Sequence, residues 1–235
     1  MKINDSVALV TGANRGLGAA FARELLRRGA RTVYAAARDA GAVTEPGVVP
    51  VRLDITDPAA VREAAERCGD TTLLINNAGI SRGGPLTGGE DVAGARAEME
   101  TNYFGTLEMV RAFAPVLARN GGGALVNVLS VLSFVSLPGI GSYSASKSAA
   151  WALTNAVRQE LAGQGTLVMG VHAGYIDTDM AARITGPKIS PEDVVRQVLD
   201  GVEAGLPEVL ADDVSRGVKA GLSGDLEALY AGLAS

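Results

Sequence analysis

Residues 6–28 read SVALVTGANRGLGAAFARELLRR. The opening run, SVALVT (6–11), is apolar at consecutive positions, the pattern of a strand covered on both faces. TGANRGLG (11–18) follows, and then Leu17, Ala20, Phe21, Glu24, Leu25 and Arg28 recur at helical spacing. Gly12, Gly16 and Gly18 let a backbone turn tightly and come close to a pyrophosphate, to which a helix N-terminus offers N–H groups and partial positive charge. A plain glycine-rich turn between a strand and a helix has the same spacing, so the rest of the chain must decide.

The alternation continues. Further apolar runs are RTVYAAA (31–37), GVVPVRLD (47–54), TTLLINN (71–77), GALVNVLS (123–130), TLVMGVHA (166–173) and PEVLAD (207–212). Amphipathic stretches separate them. Asp57 followed by Pro58 signals a helix running to about Cys68, and Ser190-Pro191-Glu192-Asp193 opens another, with Asp193 placed to close a capping box. Alternating βα units of this length predict an α/β fold: a Rossmann-like, doubly wound, seven-stranded parallel sheet with helices on both faces. No linker divides the chain, so residues 1–235 are read as one nucleotide-binding domain, with a short lid over about 174–190. RGGPLTGG (82–89) reads as a surface loop.

Composition narrows the function. The chain has 235 residues, 47% of them hydrophobic, and a formal charge of −5. No cluster of Lys and Arg is present, which argues against nucleic acid and anionic membranes as partners. Cys68 is the only cysteine and His172 the only histidine. An internal disulfide is therefore excluded, a reducing cytoplasm is the expected setting, and no metal site is expected. The N-terminus is too polar for a signal peptide. Residues 120–146 carry no charge, but glycines, Asn127, Pro138 and serines interrupt them, so they read as a strand and a covered loop rather than a membrane span.

The glycine spacing T-G-x-x-x-G-x-G, followed in order by LDI (53–55), NNAG (76–79), TNYFG (101–105) and YSASK (143–147), resembles the short-chain dehydrogenase/reductase family along nearly the whole chain. The resemblance implies an oxidoreductase with a nicotinamide cofactor. It places Gly12, Asn14, Arg15, Gly16, Leu17 and Gly18 around the cofactor phosphates, Asp54 and Ile55 at the adenine, and Asn77, Ala78 and Gly79 beneath the cofactor. Asn102, Ser130, Tyr143 and Lys147 match the catalytic set. Gly174, Ile176 and Thr178 match the loop that meets the carboxamide.

Cofactor choice rests on the end of the second strand, where an acid binds a free 2′-hydroxyl and a cation binds a 2′-phosphate. The strand ends AAARD, so Arg38 and Asp39 predict opposite cofactors. In the family register Ala37 takes the slot of the acid, and Arg38 that of a phosphate-binding arginine. Arg15 is a second cation expected at the same place. A guanidinium binds phosphate through paired hydrogen bonds. NADP(H) is therefore expected over NAD(H).

Tyr143 and Lys147 are four residues apart and share a helix face. Carbonyl reduction makes an alkoxide that needs a proton, and a free phenol has a pKa of about 10. A nearby ammonium favours the phenolate, so Lys147 is expected to lower the Tyr143 pKa. By resemblance it also holds the nicotinamide ribose. Ser130 ends the fifth strand, where its hydroxyl can orient the substrate oxygen. Asn102 resembles the residue that positions a water beside Lys147. Ser142, Ser144 and Ser146 read as helix-start capping groups. Trp151 reads as core or subunit packing and His172 as a structural histidine.

One departure stands out. The family usually carries Pro-Gly after the sixth strand, and here Ala173 precedes Gly174. Alanine lacks the fixed φ of proline, which implies a looser loop. Leu132, Leu137, Tyr175 and Met180 are expected to line the substrate pocket, and none is charged, so an apolar ketone, aldehyde or imine is the expected substrate. Two alternatives remain, a non-catalytic NADP(H) sensor and a cofactor-free lyase on the same fold. The sensor is disfavoured because Tyr143 and Lys147 are both kept, the lyase because the glycines are. The helices near 90–119 and 143–163 are expected to form a homodimer or homotetramer.

Overall fold

In the computed structural model, residues 1–84, 86–88 and 92–231 are described. The seven apolar runs form seven strands: β1 (Val7–Thr11), β2 (Thr32–Ala37), β3 (Val49–Arg52), β4 (Leu73–Asn76), β5 (Gly123–Val128), β6 (Thr166–His172) and β7 (Glu208–Leu210). All pair in parallel, in the order β3-β2-β1-β4-β5-β6-β7. The winding reverses between β1 and β4, so a crevice opens there at the carboxyl ends of the strands, where doubly wound sheets bind ligands.

The helices are α1 (Gly16–Arg27), α2 (Pro58–Arg67), α3 (Ala93–Met99), α4 (Thr106–Arg119), α5 (Gly141–Glu160), α6 (Pro191–Ala204), α7 (Asp213–Gly221) and α8 (Leu226–Ala231). Phe21 and Leu25 of α1 meet Val194, Val198 and Val202 of α6 in a core that includes Ala8 and Val10 of β1. On the opposite face Val61 of α2 and Met109, Phe113 and Leu117 of α4 share a core with Leu9 and Leu74. Cover on both faces is why β1 and β4 are buried at every position.

The helix starts follow their caps. The Asp57 carboxylate accepts the Ala59 N–H at 2.9 Å, with Pro58 in the first turn. Ser190 Oγ accepts the Asp193 N–H at 3.1 Å, but the Asp193 carboxylate takes the Ser190 hydroxyl at 2.8 Å instead of closing the box on a backbone N–H.

The stretch read as one helix over about 90–119 departs from that reading. A π-helical turn, Glu100–Gly105, joins α3 to α4. Such turns often mark functional sites. The turn lies close to the LDI segment: a Cβ on Gly105 would sit 2.8 Å from Ile55 Cγ1. Residues 90 and 91, and Pro85 and Gly89 of the expected 82–89 loop, lie outside the described residues. Among the described residues no helix is long and apolar enough to cross a membrane.

Candidate active site

The crevice is floored by the glycine turn. Gly12 and Gly16 sit at φ +65° and +53°, a region that side chains rarely adopt. A Cβ on Gly18 would run into the Gly12 carbonyl oxygen. Thr11 braces the turn: its hydroxyl accepts the Asn77 and Ala78 N–H groups at 2.9 and 3.0 Å. The Asn77 amide donates in turn to the Thr11 carbonyl at 2.9 Å. The first glycine motif and the NNAG motif are thus one unit, joined across β1 and β4. The N-terminus of α1 opens onto the space beside it.

At the end of β2, Asp39 caps its own turn by accepting the Gly41 N–H at 2.9 Å. Arg38 is exposed and has no hydrogen-bond or ion-pair partner among the described residues. Of the two residues with opposite implications, the cation is the one left free. Arg15 does not join it: its guanidinium pairs with Asp179 at 3.2 Å, both side chains being more than 70% exposed. Asp54 accepts the Thr56 N–H and hydroxyl at 3.0 and 2.8 Å, shaping the turn that carries buried Ile55.

The catalytic candidates converge on one wall of the crevice. Ser130 follows β5, and its hydroxyl accepts the Leu132 N–H at 3.1 Å while Ser133 Oγ accepts the Ser130 N–H at 3.2 Å. The Tyr143 phenol lies close enough to Ser130 for the serine to favour its ionised form. Lys147 is buried, donates to the Val128 carbonyl at 2.9 Å and lies 5.8 Å from the centre of the Tyr143 ring. Asn102, in the π turn, exchanges two hydrogen bonds of 2.9 Å with the backbone of Ile80 and donates to Ser146 Oγ at 2.9 Å.

The electrostatics differ from the expectation. Burial pushes the Tyr143 phenol up to about 12, Ser130 pulls the other way and Glu98 adds to the rise. Burial also pulls the Lys147 ammonium down to about 8. Desolvation therefore outweighs the lowering of the phenol that Lys147 was expected to produce.

A model of the short chain dehydrogenase family matches residues 6–188. The chain belongs to that family. A solved short chain dehydrogenase from Burkholderia cenocepacia, in complex with NADP, is 48% identical, with a TM-score of 0.95 over the whole of both chains. The 1-deoxy-11-beta-hydroxypentalenate dehydrogenase of Streptomyces avermitilis is 36% identical over 203 residues, covering 80% of this chain and 75% of that protein. The 3-oxoacyl-acyl-carrier-protein reductase of Vibrio cholerae is 31% identical over 189 residues, 77% of each chain.

Against the short chain dehydrogenase pattern, the loop after β6 is held by other means than proline. The Ala173 carbonyl accepts the Val131 N–H at 2.9 Å, and the Gly174 N–H donates to the Asp212 carboxylate at 2.6 Å. Asp212 also caps α7 through the Ser215 N–H at 2.8 Å. These contacts tie the loop down where proline is usual. Thr178 reaches the glycine turn: a Cβ on Gly16 would lie 3.2 Å from its methyl. Ile176 pairs with Ile189 across the lid segment.

Of the expected pocket residues, Leu132 is buried and Leu137 packs beside it, in an apolar cluster that includes Tyr143. Tyr175 and Met180 are 43% and 60% exposed. Sequence reading missed the contribution of α8: Leu229 and Tyr230 join this cluster, and the Tyr230 hydroxyl accepts the Ser136 N–H at 3.1 Å. Nor do the helix-start serines act as caps. Ser144 and Ser146 donate back to the Ile140 and Tyr143 carbonyls at 3.1 and 2.7 Å, and no side chain caps α5. His172 packs as a structural residue, its Nδ1 3.0 Å from the Ser130 carbonyl and its ring stacked on Phe134 at 4.1 Å. Burial pulls its pKa down to about 4, so the ring is neutral and Nδ1–H donates. Trp151, half-buried, meets Phe134 edge-on at 4.8 Å. Asn76, Asn127 and Thr154 form a buried chain of 2.9 Å hydrogen bonds between β4, β5 and α5. Two asparagines inside apolar runs were the available signal for it.

Proposed function

We propose that this chain is an NADPH-dependent reductase that converts a ketone, aldehyde or imine to the alcohol or amine, with Tyr143 as the acid. The observation that carries the reading is one wall on which a phenol, a serine hydroxyl and a buried lysine converge, beside a glycine turn closed to side chains. That turn fits a pyrophosphate, because Gly12 and Gly16 take the positive φ that the tight bend needs and Gly18 packs on the Gly12 carbonyl where no side chain has room. Arg38 would take the 2′-phosphate, Asp54 and Ile55 would flank the adenine, and Lys147 would hold the nicotinamide ribose. Bound NADPH would supply the hydride. The 48% identical relative solved with NADP supports this choice of cofactor.

The residues divide the remaining work. Ser130 donates to the substrate oxygen and holds it beside Tyr143. Tyr143, with its pKa near 12, keeps its proton at neutral pH and gives it to the developing alkoxide. Lys147 and Asn102 position the wall between cofactor and helix α5, and the 174–190 segment acts as the lid. Leu132, Leu137 and the α8 residues give the pocket an apolar lining. We place the enzyme in the cytoplasm, as a homodimer or homotetramer through the outer faces of α4 and α5. A monomer by light scattering would refute that assembly.

The direct test is NADPH consumption against a panel of apolar ketones and aldehydes. Turnover with NADPH exceeding that with NADH is expected. The KM for NADPH should hold constant from about pH 6 to about pH 7 and rise as pH passes about 8, because Lys147 loses its charge there while Tyr143 stays protonated. Tight NADPH binding without turnover on a broad panel would favour the sensor. A KM unchanged beyond pH 8 would remove the Lys147 charge from the binding step.

A further inference from the structure

Glu98 on α3 is fully buried, and among the described residues one of its carboxylate oxygens has no hydrogen-bond partner. The other accepts two backbone N–H groups, from Arg82 at 2.6 Å and Gly83 at 3.2 Å. One turn further on, Asn102 holds Ile80 by accepting its N–H and donating to its carbonyl. The next residue along, Gly84, bridges to Ile140, and its N–H donates to the Gly139 carbonyl at 2.6 Å. Ile140 is the residue from which α5 starts, and Tyr143 stands in the first turn of that helix. A continuous line of contacts thus runs from Glu98 through residues 82–84 to the start of the tyrosine helix.

A purely mechanical anchor would not need a charge. Glutamine offers the same acceptor oxygen to Arg82 and Gly83 and could leave its amide nitrogen at the orphan position. Burying a carboxylate with one oxygen unpartnered is costly, and buried charges of that kind cluster where they act on a reactive group. We propose that Glu98 is a positioning residue for Tyr143: it fixes residues 82–84 against the start of α5 and holds a buried negative charge near the phenol. The consequence is directional. The charge keeps the proton on Tyr143, which favours proton donation in reduction and slows proton abstraction in alcohol oxidation. This rests on the reading of Tyr143 as the acid/base.

Among the described residues, the other charged groups around the pair do not supply this effect. Lys147, on the tyrosine's own helix, acts in the opposite sense. Arg82 on the adjoining segment and Arg96 and Glu100 beside Glu98 are exposed, and His172 behind Ser130 is neutral. The rise in the Tyr143 pKa to which Glu98 contributes is consistent with this arrangement.

The test uses the full chain and two kinds of readout. With 1-phenylethanol and NADP+, Glu98→Gln should oxidise about three- to tenfold faster than wild type near neutral pH, with the rising limb of its pH profile displaced to lower pH. Glu98→Asp, which keeps the charge, should track the wild-type profile. Glu98→Ala should speed amide exchange by about tenfold at residues 82–84 and 139–141 and leave the sheet unchanged. A Glu98→Gln profile superimposable on wild type would overturn the electrostatic role, and unchanged exchange in Glu98→Ala the anchoring role. If Tyr143→Phe retains turnover, the acid/base reading fails instead, and the exchange result stands apart from it.

Discussion

Tyr143→Phe is expected to lower the rate of NADPH-dependent carbonyl reduction by about 10²- to 10⁴-fold, the range that a positioned general acid contributes. NADPH affinity, measured by fluorescence titration, should change little. The two results follow from the position of the phenol. Burial holds its proton at neutral pH, so it is already in the donor form that reduction needs. Phenylalanine keeps the ring in the Val131–Leu132–Val135 cluster and removes only the oxygen. Ser130 keeps its contact with the Leu132 N–H, so the wall should stand. Loss of the hydroxyl should cost about 1 kcal/mol of stability at most, and a thermal melt would detect any larger collapse. Activity within about tenfold of wild type would sink the mechanism. Lost NADPH affinity in a folded variant would mean that Tyr143 serves the cofactor more than the substrate.

The features legible in the sequence are those that local physics controls. Runs such as SVALVT and TTLLINN announce strands covered on both faces because nothing polar interrupts them. The glycine turn is legible because Gly12 and Gly16 need positive φ and Gly18 has no room for a side chain. Asp57 and Ser190 are legible as caps because a cap is made within three residues. What failed depends on tertiary neighbours. The π turn at Glu100–Gly105 has the residue pattern of the helix around it, and packing against Ile55 and Ile80 distinguishes it. Asp212 does the work expected of a proline from 38 residues away. Arg15 finds Asp179 across a separation of 164 residues, which no local spacing reveals. The serines of YSASK look like caps by composition, but the helix begins two residues before Tyr143. The electrostatics also depend on the fold: an ammonium one helical turn away argues for a lowered phenol, while burial, which only the fold sets, pushes it up.

Arg38→Asp is expected to raise the KM for NADPH by about tenfold to a hundredfold, while the KM for NADH rises little or falls. A hydrogen-bonded ionic contact is worth about 1.5–3 kcal/mol, and each 1.4 kcal/mol is about tenfold in affinity. Aspartate removes the contact and sets a negative charge against the 2′-phosphate, so the upper part of that range applies. The same carboxylate can accept from the free 2′-hydroxyl of NADH. Arg38 is open to solvent, and its preference for NADPH should therefore weaken as salt is added. The neighbouring residues isolate the effect. Asp39 is turned to the Gly41 N–H through one oxygen, and Arg15 is paired with Asp179, so it compensates poorly for the lost cation. Arg15→Ala should consequently move the NADPH KM less than Arg38→Asp. An unchanged NADPH KM in Arg38→Asp would reduce Arg38 to a solvated surface charge. A larger effect from Arg15 would show that its ion pair with Asp179 opens when the cofactor binds, and that the glycine turn, rather than the end of β2, reads the phosphate.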